Sequence, residues 1–273
     1  MSAQRDGSAF ADRGEAGPQP TLDLSIDGHV HTGFAKGRLS VGALVTAAED
    51  AGLTQVTFAD LVGPETTWLR AYLDSVRRAQ KRTDLALRVA VEVEIVRPDG
   101  WVAFPADLGE LESISIALSG VPLPSGLAAP ERVRAMIRAG ELRAADVTEM
   151  VIEATAHAVE RTSRYAPTQL ARPLGVLAAL GIDEAEVDEQ AIRRVVSACR
   201  ASRVVIEVSE AWRTPSLRLA RALAAAGVPL VAASDTADAS QLGRWRYVRA
   251  VQGVVEWVSG GTNSGGTNGR RAS

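Results

Sequence analysis

The feature that most constrains this chain is an alternation. Seven short runs rich in β-branched residues are separated by longer amphipathic ones. The predicted strands are 24–30, 55–59, 87–96, 113–118, 169–171, 204–208 and 230–233. The predicted helices are 40–51, 64–82, 130–139, 145–164, 188–202 and 215–226. Strand–helix–strand alternation over this length favours a parallel sheet covered by helices, because parallel neighbours need a crossover connection. About seven strands point to a distorted barrel, with an open doubly wound sheet as the alternative. Local signals mark several helix ends. Ser40 is placed to cap the first helix and Gly52 to follow it. Pro64 and Pro215 suit first-turn positions, and Gly227 follows the 215–226 helix.

The ends differ in character from this core. Residues 1–20 are rich in Gly, Pro, Ala and charge, and residues 259–273 hold a duplicated Gly-Gly-Thr-Asn. Neither could bury enough apolar surface to offset its ordering entropy, so both are expected to be tails around a domain of residues 21–258. No apolar run approaches the ~18 residues of a membrane helix, and the N-terminus lacks the apolar centre of a signal peptide. A cytoplasmic protein is expected. Net charge −3 gives no electrostatic grip on nucleic acid. The single cysteine, Cys199, excludes an internal disulfide and sits in an apolar-periodic segment that predicts a buried thiol. Phosphate-loop and dinucleotide glycine fingerprints are absent.

Chemistry-bearing residues gather at predicted strand ends, where α/β folds place their sites. The first strand ends Asp27-Gly28-His29-Val30-His31-Thr32, and alternation puts Asp27, His29 and His31 on one face. Two imidazoles so spaced can hold a divalent metal, and Gly28 permits close approach. Asp60 ends the second strand, Glu92 and Glu94 lie on one face of the third, and Asp235 follows the last. Any one of these acids alone reads as a helix cap. Together with the histidines they suggest a shared site.

The same segments, in order, resemble the motifs of the PHP (polymerase and histidinol phosphatase) family. Asp27–Thr32 is similar to its opening Asp-x-His-x-His-Thr/Ser string. Phe58-Ala59-Asp60-Leu61, Ala90-Val91-Glu92, Leu170-Ala171-Arg172-Pro173, Val205-Ile206-Glu207-Val208-Ser209 and Ser234-Asp235-Thr236-Ala237 resemble later motifs, spanning roughly residues 24–245. The resemblance implies a distorted (β/α)7 TIM-like barrel, bound divalent metals and phosphoester hydrolysis. It also exposes losses. Leu61, Arg172 and Ala237 stand where the family has histidine, and a further family histidine falls near Ser119. The chain has three histidines, and the third, His157, lies in a helical run, so a histidine-rich multinuclear site cannot be assembled.

What the resemblance leaves is one corner: His29, His31, Glu92 and Asp235 as ligands of a single Zn²⁺, Mn²⁺ or Fe²⁺. Asp60 or Glu94 is expected to orient water or accept its proton. Arg172 and Arg213 are expected to supply fixed positive charge and bidentate phosphate contacts near the vacated metal positions; the competing expectation is that each pairs with a neighbouring acid. Two functions follow: a metal-dependent phosphoesterase with a reduced site, or a catalytically inactive PHP-like domain that binds a phosphorylated small molecule or a partner. An amidohydrolase-type barrel, which also opens His-x-His, ranks below both because it needs more histidines on later strands.

Overall fold

The computed structural model describes residues 22–261 apart from 107, 109 and 110; the predicted tails lie mostly outside these residues. The elements run, in order, β1 (Ile26–Val30), α1 (Val41–Asp50), β2 (Gln55–Val62), α2 (Leu69–Gln80), β3 (Ala86–Glu94), β4 (Ser113–Ala117), β5 (Val121–Leu123), β6 (Gly126–Ala128), α3 (Pro130–Arg138), α4 (Ala144–Thr162), β7 (Thr168–Leu170), α5 (Gly175–Leu180), α6 (Glu189–Ser202), β8 (Val205–Ser209), α7 (Leu217–Ala225), β9 (Leu230–Ala233) and α8 (Tyr247–Gly261).

Seven strands pair in parallel in the order β1-β2-β3-β4-β7-β8-β9. The two edge strands meet. Val30 bridges Thr236, His31 N donates to Thr236 O at 2.9 Å, and Asp235 N donates to His29 O at 2.9 Å. The sheet is therefore a nearly closed seven-stranded α/β barrel, joined between β1 and the segment after β9. The open-sheet alternative fails because these hydrogen bonds leave neither edge free at that end.

The layers follow from burial. Strand residues such as Val56, Val91, Ile116, Ile206 and Ala232 are fully buried, and each helix turns one apolar stripe inward, for example Leu44, Val45 and Ala48 of α1. Ser40 caps α1, Asp188 caps α6 and Ser216 caps α7, each accepting a first-turn N–H. Gly52 and Gly227 adopt the left-handed conformation after α1 and α7. Among the described residues no helix is long and apolar enough to cross a membrane. Cys199 is buried, and burial pushes its thiol up to about 12.

Several sequence expectations are corrected. α2 begins at Leu69, not Pro64, because residues 63–66 form a turn in which Gly63 N donates to Thr66 Oγ1 and Thr66 N to Gly63 O. Pro215 precedes the Ser216 cap and stays outside α7. The chain after 258 continues helical to Gly261. The β5–β6 hairpin, the short α5 and the C-terminal α8 were not anticipated. α8 carries no local cap signal, since its free N–H groups at Tyr247 and Val248 are satisfied by Glu210, a residue 37 positions or more away in the chain.

Candidate metal centre

The polar residues buried inside this barrel gather at the C-terminal ends of its strands. Asp27, His29, His31, Asp60, Glu92, Ser115, Arg172, Glu207 and Asp235 are all buried. The placement starts in β1. Asp27 pairs with Val56 but Val30 with Phe58, so β1 carries one extra residue against β2. Such a bulge re-aims side chains, and it breaks the simple alternation expected from sequence. His29 and His31 converge, with ring centroids 4.8 Å apart, whereas Asp27 turns to accept from His29 N and from Ser234 N. Gly28 is required at the bulge: a Cβ there would meet the Val231 methyls at 2.8 and 2.9 Å. On the far side, Arg172 and Asp235 hold left-handed φ values of 48° and 51° at the ends of β7 and β9. Strain of this kind in non-glycine residues gathers at functional sites.

One ligand atom from each of His29, His31, Glu92 and Asp235 lies within 4.8 Å of the others. His29 Nε2 is 3.2 Å from Glu92 Oε2, and His31 Nε2 is 3.1 Å from Asp235 Oδ1 and 3.9 Å from Glu92 Oε2. His29 Nε2 and Glu92 Oε2 are buried and lack a well-formed hydrogen bond. The two atoms face each other across 3.2 Å, a contact that a cation taking both as ligands would replace. The outer shell is arranged to suit an ion. Glu207 Oε2 accepts from His29 Nδ1 at 2.8 Å, which leaves Nε2 facing inward. Glu207 is held in turn by Ser115 Oγ and by Gln169 Nε2 at 3.0 Å. A carboxylate behind the imidazole is the usual support for a metal-binding histidine. Two nitrogens and two carboxylates fit a divalent cation of the zinc, manganese or iron kind.

Arg172 joins the site in a way that alters its expected role. Its Nη2 donates to Glu92 Oε1 at 2.6 Å and its Nη1 to Asp235 Oδ2 at 3.2 Å. Glu92 thus turns Oε1 to the guanidinium and Oε2 to the histidines, whereas Asp235 Oδ1 meets His31 and also accepts from Arg172 Nη1 at 3.4 Å. The fork expected to grip phosphate is already closed on two acids, and the competing expectation of acid pairing holds. Trp212 stacks on this guanidinium at 5.2 Å.

Asp60 is at the site as an anchor. Oδ1 accepts from Thr32 N at 2.7 Å, Oδ2 from the Thr32 hydroxyl, and Oδ1 lies 3.8 Å from His31 Nδ1. With both oxygens engaged, it holds the loop after β1 and faces the back of His31. Glu94 is likewise occupied, accepting from Ser119 N and Oγ at 2.7 and 2.5 Å. Arg213 is not drawn into the cluster. It is exposed and lies over the Tyr247 ring at 5.7 Å, captured by the unanticipated α8. His157 is half-exposed on α4 beside Glu153.

The electrostatics follow from burial and pairing. Burial alone would lower the pKa of His29, but Glu207 and Glu92 overcome it and hold the imidazole well above its ordinary value. His31 is raised too, with Asp235 and Asp60 outweighing burial. Burial would raise Glu92, yet His29 and Arg172 hold it far below the carboxylate range. Asp235 is lowered against burial by His31, His29 and Arg172. Asp27, whose direct donors are backbone N–H groups, is pushed by burial up to about 6.

Sequence reasoning missed Ser115, Gln169, Lys36 and Trp212, and noted Glu207 only within a motif. Strand register supplies the missing signal: Glu92 pairs with Ser115 and Ser115 with Gln169, which sets all three side by side around the barrel. Lys36 approaches from the loop after β1, its half-exposed Nζ 3.8 Å from Glu92 Oε1.

No protein-family model matches the chain, and no curated protein matches it. Solved structures with similarity include phospho-2-dehydro-3-deoxyheptonate aldolase from Thermotoga maritima, at 12% identity over 89% of this chain and 73% of that one, TM-score 0.32. Another is (S)-3-O-geranylgeranylglyceryl phosphate synthase from Thermoplasma acidophilum, at 14% identity over 85% and 92%, TM-score 0.32. A short-chain dehydrogenase from Oenococcus oeni follows at 10% identity over 88% and 93%, TM-score 0.27. At such scores these likenesses say nothing about activity; the barrel rests on its own strand order and closure, and the site on its own geometry.

Proposed function

We propose that this chain is a PHP-like metal-dependent phosphoesterase with a reduced, one-metal site. The observation that carries the reading is the convergence of His29, His31, Glu92 and Asp235, with one ligand atom of each within 4.8 Å of the others. His29, His31, Glu92 and Asp235 would hold a divalent cation, which would supply Lewis acidity and a more acidic water. The chain's own residues do the rest. Glu207 fixes the tautomer of His29. Asp60 holds Thr32 and backs His31. Arg172 restrains Glu92 and Asp235. Lys36, half-exposed beside Glu92, places positive charge where an anionic ester would arrive.

One observation favours the second reading, an inactive PHP-like domain that binds a phosphorylated ligand or a partner. Arg172 bridges Glu92 and Asp235, His29 lies against Glu207 and His31 against Asp235, so each of these acids already has a partner without a metal.

Elemental analysis of protein reconstituted with Zn²⁺ or Mn²⁺, compared with His31→Ala, separates the two. Near-stoichiometric metal that the variant loses, with metal-dependent hydrolysis of p-nitrophenyl phosphate, supports the phosphoesterase. Bound metal without turnover on a panel of phosphate monoesters supports the binder. No metal after reconstitution overturns the one-metal hydrolase.

A further inference from the structure

The chain holds two lysines, Lys36 and Lys81, against 28 arginines. Lys81 is exposed at the end of α2, whereas Lys36 stands over the metal corner. Its ammonium lies 3.8 Å from Glu92 Oε1, the oxygen that also accepts from Arg172 Nη2 at 2.6 Å. The two cations are held differently. Arg172 is buried, and its fork is closed on Glu92 and Asp235. The Lys36 side chain is 47% exposed, and its contact is longer than the roughly 2.7–2.9 Å of a charge-assisted hydrogen bond. One cation is locked in place, and the other only leans on the carboxylate.

The loop that carries Lys36 is fixed. Thr32 N and Oγ1 donate to Asp60, and Thr32 O accepts from Gly37 N at 2.9 Å. Gly33 N donates to Leu39 O at 2.8 Å, which closes the loop on itself. Phe34 packs against Trp68 and Tyr72, each ring centroid 5.7 Å away. Gly37 must lack a side chain, since a Cβ there would meet Thr32 O at 2.7 Å. The backbone of Lys36 is thus held beside the site, and its flexible four-carbon stem is the part free to turn.

A divalent ion needs Glu92 as a ligand and adds two positive charges beside the ammonium. Metal and Lys36 therefore compete for the charge of one buried carboxylate, and by linkage each weakens the hold of the other. We propose that Lys36 is a displaceable counter-ion of this corner. It neutralises Glu92 when the metal is absent, lowers the affinity for a divalent cation, and turns out toward solvent when the cation binds. The proposal rests on the one-metal reading of the corner and on no hydrolytic step.

Zn²⁺ affinity of the full-length protein, measured by competition with a chromophoric chelator, tests it. Lys36→Met removes the charge and keeps much of the bulk. It is expected to tighten Zn²⁺ about tenfold, the scale of one unit charge acting on a divalent ion across a half-solvated mouth. Lys36→Arg keeps the charge and is expected to give no tightening. Acylation of wild-type protein with an N-hydroxysuccinimide ester, followed by peptide mass spectrometry, reads the displacement, with Lys81 as internal standard. The ratio of Lys36 to Lys81 labelling should rise on Zn²⁺ loading, as the stem turns outward, and stay constant in His31→Ala. Unchanged or weaker Zn²⁺ affinity in Lys36→Met, equal tightening in Lys36→Arg, or an unchanged ratio in protein that holds Zn²⁺ would overturn the proposal. Uptake by Lys36→Met but not by wild type supports Lys36 as the opposing charge and removes the one-metal hydrolase. Uptake by neither overturns both. Tightening in Lys36→Met without turnover of any phosphate ester removes the phosphoesterase alone.

Discussion

Two ion pairs in this molecule have the same length and opposite surroundings. Arg172 Nη2 to Glu92 Oε1 and Arg194 Nη1 to Glu160 Oε1 both measure 2.6 Å. The first joins side chains 2% and 0% exposed inside the barrel, the second side chains 30% and 38% exposed between α6 and α4. Distance therefore says little about energy here. The buried pair has surrendered its water, and its worth depends on every partner staying in place. The surface pair keeps most of its hydration and is screened by salt. A buried pair with more acids than one guanidinium needs is a poor device for stability alone. It suits a site in which charge must be held ready.

Removing one partner should show this most strongly. Arg172→Ala leaves Glu92 and Asp235 buried without their cation and is expected to cost about 3–5 kcal/mol in urea unfolding. A loss under about 1 kcal/mol would mean that water reaches the pair and that the contrast is false. Next in size is metal. Zn²⁺ or Mn²⁺ at a hundredfold excess over Kd should raise the unfolding free energy by about 2.7 kcal/mol. His31→Ala should abolish that gain, and a gain that survives the variant would place the ion elsewhere. Ser115→Ala removes one donor from Glu207 while Gln169 remains, so about 1 kcal/mol of stability should go, with weaker metal retention. A stability loss without any change in metal retention would make Glu207 a structural group only.

The smallest effect belongs to the surface. Arg194→Ala is expected to cost less than about 1 kcal/mol, and less again at high salt. Arg194 lowers the pKa of Glu160. A lowered carboxylate contributes stability above its unfolded pKa and loses it as pH falls through the folded value. The wild-type advantage over the variant should thus be present at neutral pH and fade in acid. An advantage that grows in acid would reverse this account.

Much of the site was legible because strands expose their periodicity. Periodicity put the acids and histidines at strand ends, the PHP resemblance grouped His29, His31, Glu92 and Asp235 as one ligand set, and the four converge. Arg172 was placed at the site but not with its fork turned onto two acids, a detail fixed by the left-handed turn at the end of β7. The contact of Arg213 with Tyr247 had no sequence signal, because that ring belongs to α8, whose first N–H groups are met by the distant Glu210. Asp60 was expected to orient water or accept its proton; it is at the site, 3.8 Å from His31, with both oxygens engaged by Thr32. Ser115 and Gln169 gave no signal, since an isolated polar residue in a strand means nothing until register sets it beside a carboxylate.

The sequence by itself determined the seven strands, their helical crossovers and the gathering of His29, His31, Asp60, Glu92 and Asp235 at strand ends. Those follow from local periodicity and from the rule that parallel strands present their C-terminal ends together. Only the tertiary structure decided that the barrel closes, that β1 bulges at Gly28, and that Arg172 divides Glu92 and Asp235 between itself and the histidines. The physical reason is range. Periodicity reports neighbours a few residues apart, whereas Arg172 meets Glu92 across 80 positions and His31 meets Asp235 across 204. Such pairings exist only once closure of the barrel has fixed the register of every strand between them.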